Sequence, residues 1–394
     1  MQTDYDVIIV GGGLAGGCLA LALADSGLKI ALIESNTRQE RFQSEAGDRA
    51  LALAAGTVET LEKLNIWQGV QASATPIKHI HVSDQGHFGK TRLSAAKEGV
   101  AALGYVITAR VIEDHVAALL EQTTLHLLCP ARVIGISNAE HEASVSIKQA
   151  GTSDILTARL VVGADGGQSS VRKLLDISQQ TTDYGQTAIV TTVKSSHAHQ
   201  NTAYERFTPF GPLALLPTVQ GQSSVVWTRN HEQAQDLMGL SEPDFTAQLQ
   251  ACFGYRLGEL QLTAQRRAFP LSLIRAQQMH SGRSVIIGNA VHQLHPVAGQ
   301  GFNLGLRDVL DLAERLVQQQ QKSLDIGERG FLHAFEQNRL QDHNRVIGFT
   351  DSLIKMFSNQ SLVLAAMRSA GLTLLDHLPP AKHYLSQHAM GLRY

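Results

Sequence analysis

Tyr5-Asp6-Val7-Ile8-Ile9-Val10-Gly11-Gly12-Gly13-Leu14-Ala15-Gly16-Gly17 is the stretch that decides the fold. Residues 5–10 form a β-branched, apolar run, as expected of a strand buried on both faces of a parallel sheet. The glycines follow at once. An apolar helix is then expected over 18–26, closed by Gly27, and Lys29 to Glu34 (KIALIE) has the composition of the next strand. Strand, turn, helix and strand make one β-α-β unit. Its turn spells Gly11-x-Gly13-x-x-Gly16, with Leu14 and Ala15 between the second and third glycines. A dinucleotide pyrophosphate needs close backbone approach and free N–H donors at a helix N-terminus, and glycine supplies both. Alone the spacing also fits a tight turn before a packed helix. The strand before it, the helix after it and the acid Glu34 closing the next strand favour a nucleotide, because such an acid accepts from ribose hydroxyls.

NAD and FAD fit this unit equally well, and two later stretches discriminate. Residues 161–172 read VVGADGGQSSVR and residues 285–308 read VIIGNAVHQLHPVAGQGFNLGLRD. Each sets glycines and a small polar residue directly after a strand, as a second and third backbone approach to one extended cofactor requires. Between these stretches a helix is expected over 51–64, a hairpin over 77–93 around Asp84-Gln85-Gly86, and an amphipathic helix over 111–120. Strands are expected near Val133 and Val145, over 159–162 and over 284–287. From about 189 to 273 short alternating strands with Pro209, Gly211, Pro212 and Pro217 in their turns predict an antiparallel sheet. A helix follows over 302–318, and the remainder is mostly helical. The fold class is α/β: a Rossmann-like dinucleotide domain, an antiparallel-sheet substrate domain and C-terminal helices. The expected division assigns 1–72, 100–182 and 275–345 to the first, 73–99 and 183–274 to the second, and 346–394 to the helical region.

With 394 residues, the chain is long enough for two or three lobes. Hydrophobic residues make up 43% and charged residues 17%, an ordinary globular balance. The formal net charge of −2 and the lack of any long basic run exclude nucleic acid as a partner. Three scattered cysteines, Cys18, Cys129 and Cys252, make a poor disulfide framework and show no metal-ligand spacing. They read as reduced thiols in a cytoplasmic protein. The acidic start, Met1-Gln2-Thr3-Asp4, runs straight into a strand and shows no secretory signal. The most apolar late stretch, 361–375, is interrupted by Arg368 and two serines and is not expected to span a membrane.

With these three glycine turns in this order, the chain resembles the class A flavoprotein aromatic hydroxylases, the para-hydroxybenzoate hydroxylase superfamily. Within it the sequence is most similar to the ubiquinone-biosynthesis hydroxylases of the 2-octaprenyl-6-methoxyphenol hydroxylase type. Residues 48–53 (DRALAL), 204–207 (YERF), 211–217 (GPLALLP) and 350–353 (TDSL) carry that closer likeness. The resemblance implies non-covalent FAD, with Gly11, Gly13 and Gly16 on its pyrophosphate and Glu34 on its adenosine ribose. It sets Arg49 and Arg110 against the FAD and Asp165 and Gly166 near the pyrophosphate. Gly288-Asn289-Ala290 stands where the family has Gly-Asp-Ala, so a neutral amide replaces an acid beside the cofactor hydroxyls. Residues 296–303 (PVAGQGFN) are the implied flavin-facing stretch, with Pro296 beside the ring, Gly299 and Gly301 among its cofactor-binding residues, and the backbone N–H groups of Phe302 and Asn303 at the pyrimidine carbonyl. A helix N-terminus there favours an anionic reduced flavin. His295 is a candidate acid/base group, though a lone histidine is more often structural.

The implied chemistry is monooxygenation. NAD(P)H, bound transiently, reduces FAD, oxygen adds to give a flavin hydroperoxide, and its distal oxygen passes to a polyprenyl phenol with water excluded. No residue stands out in the sequence as the base that would activate the phenol. Two other functions stay open: a dehydrogenase or reductase of the same fold, and a flavin-binding subunit with no catalysis of its own. A halogenase is disfavoured because Trp67 and Trp227 are too far apart to write that family's paired-tryptophan motif. Leucines, Phe357 and methionines recur at helical spacing over 353–375. They read either as packing of terminal helices or as a lid, a groove for a polyprenyl tail or a patch on the inner-membrane surface. Self-association and membership of a ubiquinone-biosynthesis complex also stay open.

Overall fold

A computed structural model describes residues 3–43, 45–357 and 362–391 of the chain. Strand Tyr5–Val10 lies parallel to Ile30–Ile33 on one side and to the end of the long strand Thr152–Gly163 on the other. Val7, Ile8 and Ile9 are fully buried, which is why this run cannot alternate with polar residues. Ser284–Ile286 extends the parallel sheet beyond Thr152–Gly163, and His126–Leu128 extends it beyond Ile30–Ile33. Ala143–Gln149 and Arg132–Asn138 add an antiparallel flap, and His280–Ser281 pairs antiparallel with Ser284–Ile286, giving eight strands among the described residues. Helices Leu14–Leu23, Ala109–Leu120 and Gln300–Gln321 contribute to one large apolar core with this sheet.

Several expected helices have different bounds. The first begins at Leu14 and ends at Leu23, because Gly13 in an extended conformation lets the helix start directly off the turn, and an Ala24 N–H to Leu21 carbonyl bond tightens its end. The helix expected over 51–64 is half strand. Ala50–Ala54 pairs antiparallel with Gly104–Thr108, and only Ala55–Lys63 is helical. A strand partner far along the chain overrides local propensity there. Thr75–Ile77 completes this three-stranded sheet. The third helix is longer than expected, Gln300–Gln321, and absorbs the glutamine tract.

Among the described residues the antiparallel sheet has nine strands and includes the hairpin His79–Asp84 with Lys90–Ser94. One joint is parallel, Thr202–Thr208 against His79–Asp84. The region 189–273, expected from its turns to be all short strands, is interrupted by helices His231–Gly239 and Glu242–Phe253. Their signals are caps, since Asn230 accepts from the Gln233 N–H at 2.8 Å and Ser241 from the Asp244 N–H at 3.3 Å. These helices cover one face of the sheet, packing Phe245 and Leu249 against Ile189, Leu213, Leu215, Val225 and Trp227. On the opposite face, Ala203 and Leu216 pack with Ala50, Ile77 and Val106 of the three-stranded sheet.

Helices Arg329–Phe357, Leu362–His377 and Pro379–Ala389 complete the chain. No helix among the described residues is long and apolar enough to cross a membrane. Met1, Gln2, Ser361 and the last residues of the 346–394 region lie outside the described residues. The three cysteines are unbonded, Cys18 and Cys252 buried and Cys129 half-buried; burial pushes the Cys18 thiol up to about 12.

Candidate active site

Each glycine of the first turn has a different neighbour. Gly11 has φ +104°, and a Cβ there would lie 2.6 Å from the Ala164 carbonyl oxygen and 2.8 Å from Asp165 Cα. A Cβ on Gly16 would run into the Gly11 carbonyl, and one on Gly17 would meet Val116 at 2.6 Å. These three serve packing of the protein on itself. Gly13 does not: a Cβ there would meet nothing within 4 Å. The helix that Gly13 caps has no side-chain cap and no acid in its first turn. Its N-terminal N–H groups, at Leu14 and Ala15 among others, therefore face open space with the positive end of the helix dipole. That is the cradle an anionic pyrophosphate fits.

Glu34 is buried at the end of the second strand. Its Oε2 accepts from the Gly12 N–H at 2.7 Å and its Oε1 from the Asn36 N–H at 2.7 Å, which fixes the carboxylate at the rim of the turn. Arg49 is exposed. Arg110 donates to Asp48 at 2.7 Å, and Arg267 of the antiparallel sheet pairs with the same carboxylate at 3.0 Å. The structure brings the second turn against the first through the Gly11–Asp165 backbone approach. The Asp165 carboxylate itself accepts from the Ser169 hydroxyl at 2.5 Å and from the Ser170 and Val171 N–H groups, so it caps the helix Ser170–Leu174. What it and Gly166 (φ +82°) offer a cofactor is backbone.

The third turn sits against the first helix, where a Cβ on Gly288 would lie 3.2 Å from the Ala15 Cβ. Asn289 is exposed and hydrogen-bonds no described side chain or backbone group. At Gly299 (φ +61°) the chain approaches Ala52, and a Cβ would meet Ala52 Cβ at 2.9 Å; at Gly301 a Cβ would meet nothing within 4 Å. The helix starting at Gln300 again lacks a side-chain cap or an acid in its first turn, and Phe302 lies in that turn. The Asn303 side chain is saturated, accepting from the Ala54 N–H and Thr57 hydroxyl and donating to the Ala52 and Gly299 carbonyls. Pro296 precedes this turn, and Val297 packs with Phe207 and Phe357. His295 is buried, and burial pushes its pKa down to about 4. Its Nδ1 accepts from the Val297 N–H at 3.1 Å, so the proton sits on Nε2, which has no partner among the described residues. It is a neutral donor near neutral pH, not a proton acceptor.

Two residues that the sequence reading passed over tie the turns together. Arg172 is buried and donates to the Ala290 carbonyl at 2.7 Å and the Gly167 carbonyl at 2.9 Å, strapping the third turn to the second. Asp308, fully buried, accepts from the Gly288 N–H at 3.2 Å, Arg339 at 2.8 Å and His343 at 2.7 Å. Burial works to raise its carboxyl, but His343, His292 and Arg339 outweigh it and hold the group well below the usual carboxylate range. Both residues end the quoted stretches 161–172 and 285–308; their position in those motifs was the available signal.

Three glycine turns around two uncapped helix N-termini, on a Rossmann-like sheet, define an FAD-dependent hydroxylase fold. A family model described as an FAD binding domain matches residues 4–350, and the chain belongs to that family. Its FAD-dependent monooxygenase class follows from that membership and from its relatives. It is 36% identical to "Ubiquinone hydroxylase UbiL" of Rhodospirillum rubrum, over 98% of this chain and 89% of that one. It is 29% identical to the 3-demethoxyubiquinol 3-hydroxylase of Escherichia coli (strain K12), over 98% of each. The fold is that of the p-nitrophenol 4-monooxygenase PnpA of Pseudomonas putida DLL-E4, with a TM-score of 0.81 over 99% of each chain at 16% identity.

Proposed function

We propose that this flavoprotein hydroxylates a polyprenyl phenol in ubiquinone biosynthesis, using O2 and electrons from transiently bound NAD(P)H. The observation that carries the reading is the open cradle at Gly13, met by the second and third turns, in a chain similar over nearly its whole length to ubiquinone hydroxylases. Bound FAD supplies the redox and oxygen-activating chemistry; the chain supplies binding, orientation and desolvation. In this reading the backbone at Gly11, Gly13, Leu14, Ala15 and Gly16 holds the pyrophosphate, and Glu34 the adenosine ribose. Arg49 and Arg110 flank the cofactor, and the backbone of Asp165 and Gly166 approaches the pyrophosphate. Gly288 and Asn289 meet cofactor hydroxyls, and Pro296, Gly299, Gly301, Phe302 and Asn303 line the flavin edge. His295 donates from Nε2, and the apolar cluster of Phe207, Val297, Ile354 and Phe357 excludes water.

The expected division into cofactor domain, substrate domain and helical region belongs to this reading. So does a cytoplasmic enzyme working at the inner-membrane surface, where its substrate's tail resides. Support comes from the terminal helices, whose inward residues Ile354 and Phe357 pack toward the antiparallel sheet while Met356, Leu374, Leu378 and Tyr384 remain exposed. The test has two parts. Purified holoprotein should bleach on NADH or NADPH in air-free buffer, and a strain lacking the protein should accumulate a quinone precursor missing one hydroxyl. A flavin that no nicotinamide reduces, with an unchanged quinone profile, sinks the proposal.

A further inference from the structure

Side-chain alternation places Glu205 at an unusual spot. On strand Thr202–Thr208, Tyr204 packs with the Phe245-side cluster and Arg206 stands opposite Leu213 of that cluster, so both lie on the helix-covered face. Ala203, Glu205 and Phe207 therefore share the other face. Ala203 packs with Val106 and Ala50 of the three-stranded sheet, and Phe207 packs with Val297 of the flavin-facing turn. Glu205 stands between these two anchors. Directly across the sheet its row continues through Ala214, Val226 and Val190 to Arg267, which reaches over to Asp48. On the other side its neighbour is Val82. A carboxyl thus stands over a floor of small apolar side chains, on the face that meets the cofactor side. It has no hydrogen bond or ion pair with any described residue. The residue is half-buried, and the apolar packing around its carboxyl raises its pKa from 4.5 to about 7.

Several charged groups beside this face are engaged elsewhere, while Arg49 is exposed. Asp84 pairs with Arg368 and His87, Arg267 with Asp48, and Asp351 accepts from Tyr184. His295 is neutral and protonated on Nε2. Among the described residues no cation pairs with the Glu205 carboxyl, and a half-buried carboxyl on an apolar floor without a partner is a candidate for function.

We propose that Glu205 is the base that takes the hydroxyl proton of the phenolic substrate, which lies over Ala214 between this sheet and the Pro296–Asn303 turn. The proposal rests on the phenol-hydroxylase reading above. The phenol O–H breaks, its proton passes to a Glu205 oxygen, and its electron pair stays on the phenolate, which makes the ring the stronger nucleophile. As product leaves, Glu205 gives the proton back to the phenolate oxygen and is restored as a carboxylate; no electrons are exchanged with Glu205. A base titrating near neutral pH is matched to this task.

The test uses FAD-loaded protein with NADH or NADPH and a short-tailed 2-prenylphenol as probe. It compares wild type, Glu205→Gln and Glu205→Asp for hydroxylated product, peroxide and retained FAD across pH. Expected for wild type is product formation that rises with pH through neutrality. Glu205→Gln should keep FAD, continue to release peroxide, and lose roughly 10²–10⁴-fold in product together with the rising limb. Glu205→Asp should recover part of the rate with the limb displaced, which a purely structural role would not produce. A Glu205→Gln enzyme with wild-type product yield and an intact limb overturns the proposal while leaving the hydroxylase reading standing. A wild type that binds and reduces FAD yet hydroxylates no probe overturns that reading, and this proposal with it.

Discussion

At the scale of single residues, Gly13 and Gly16 look alike in the motif but do different work. Gly13→Val adds a side chain to open space, so the protein should fold and melt near the wild-type temperature yet purify without flavin. Gly16→Ala pushes a methyl into the Gly11 carbonyl and should lose fold and flavin together. Flavin absorbance and a thermal melt on both variants check this; stoichiometric FAD in folded Gly13→Val would remove the turn from the cofactor site. Glu205 makes a second prediction, independent of activity. Its folded pKa, about 7, lies above the ordinary 4.5, so the fold keeps the proton where the unfolded chain has lost it. Stability from this group is therefore full below about 4.5 and is lost as pH rises toward 7. Glu205→Gln carries no such penalty, so its melting temperature relative to wild type should climb over that window and then level off. A constant difference across pH 4 to 8 would mean the carboxyl titrates normally.

At the scale of elements, the third turn depends on two long helices. Asp308 on Gln300–Gln321 holds the Gly288 N–H and is itself held by Arg339 and His343 of Arg329–Phe357. Removing one partner of a buried charged network leaves the others uncompensated, at a cost of about 3–5 kcal/mol. Asp308→Ala should lower unfolding stability by that amount in denaturant titrations and loosen FAD as well, although Asp308 is not itself a claimed cofactor contact. Because its carboxyl is held low, its contribution is present above the unfolded value of 3.8 and survives further into acid than that of an ordinary carboxylate. A loss below 1 kcal/mol would show that the helices position the turn without it.

At the scale of the whole molecule, the proposed cofactor site would bring one ligand against segments near residues 11, 165, 288 and 300, which lie far apart in the chain. A ligand bound only by the native state stabilises it by RT ln(1 + [L]/Kd), about 2.7 kcal/mol at a hundredfold excess over Kd. Apoprotein should therefore melt below holoprotein, and titrating FAD back should raise the midpoint progressively. Denaturing holoprotein with acid should release intact FAD. Flavin that stays with the denatured chain would contradict non-covalent binding.

The sequence by itself determined the first β-α-β unit, the three glycine turns and their order, because buried parallel strands and turns approached by a ligand allow few residue types. The apolar run 5–10 and Gly11, Gly13 and Gly16 could be read without knowing any neighbour. Residues 51–54 could not, since Leu-Ala alternation suits either a helix or a strand and the partner at 104–108 settled it. The capping residues Asn230 and Ser241 were visible as letters, but their helices were masked by the strand and turn signals around them. Only the tertiary structure separated Gly13, which faces open space, from glycines that face protein, and only it assigned the Asp165 and Asn303 side chains to internal bonds. Glu205 is the sharpest case. Its letter sits in an ordinary strand, and only sheet pleating, an apolar floor and the packing of Ala203 and Phe207 set that half-buried carboxyl among apolar side chains without a described partner, which raises its pKa.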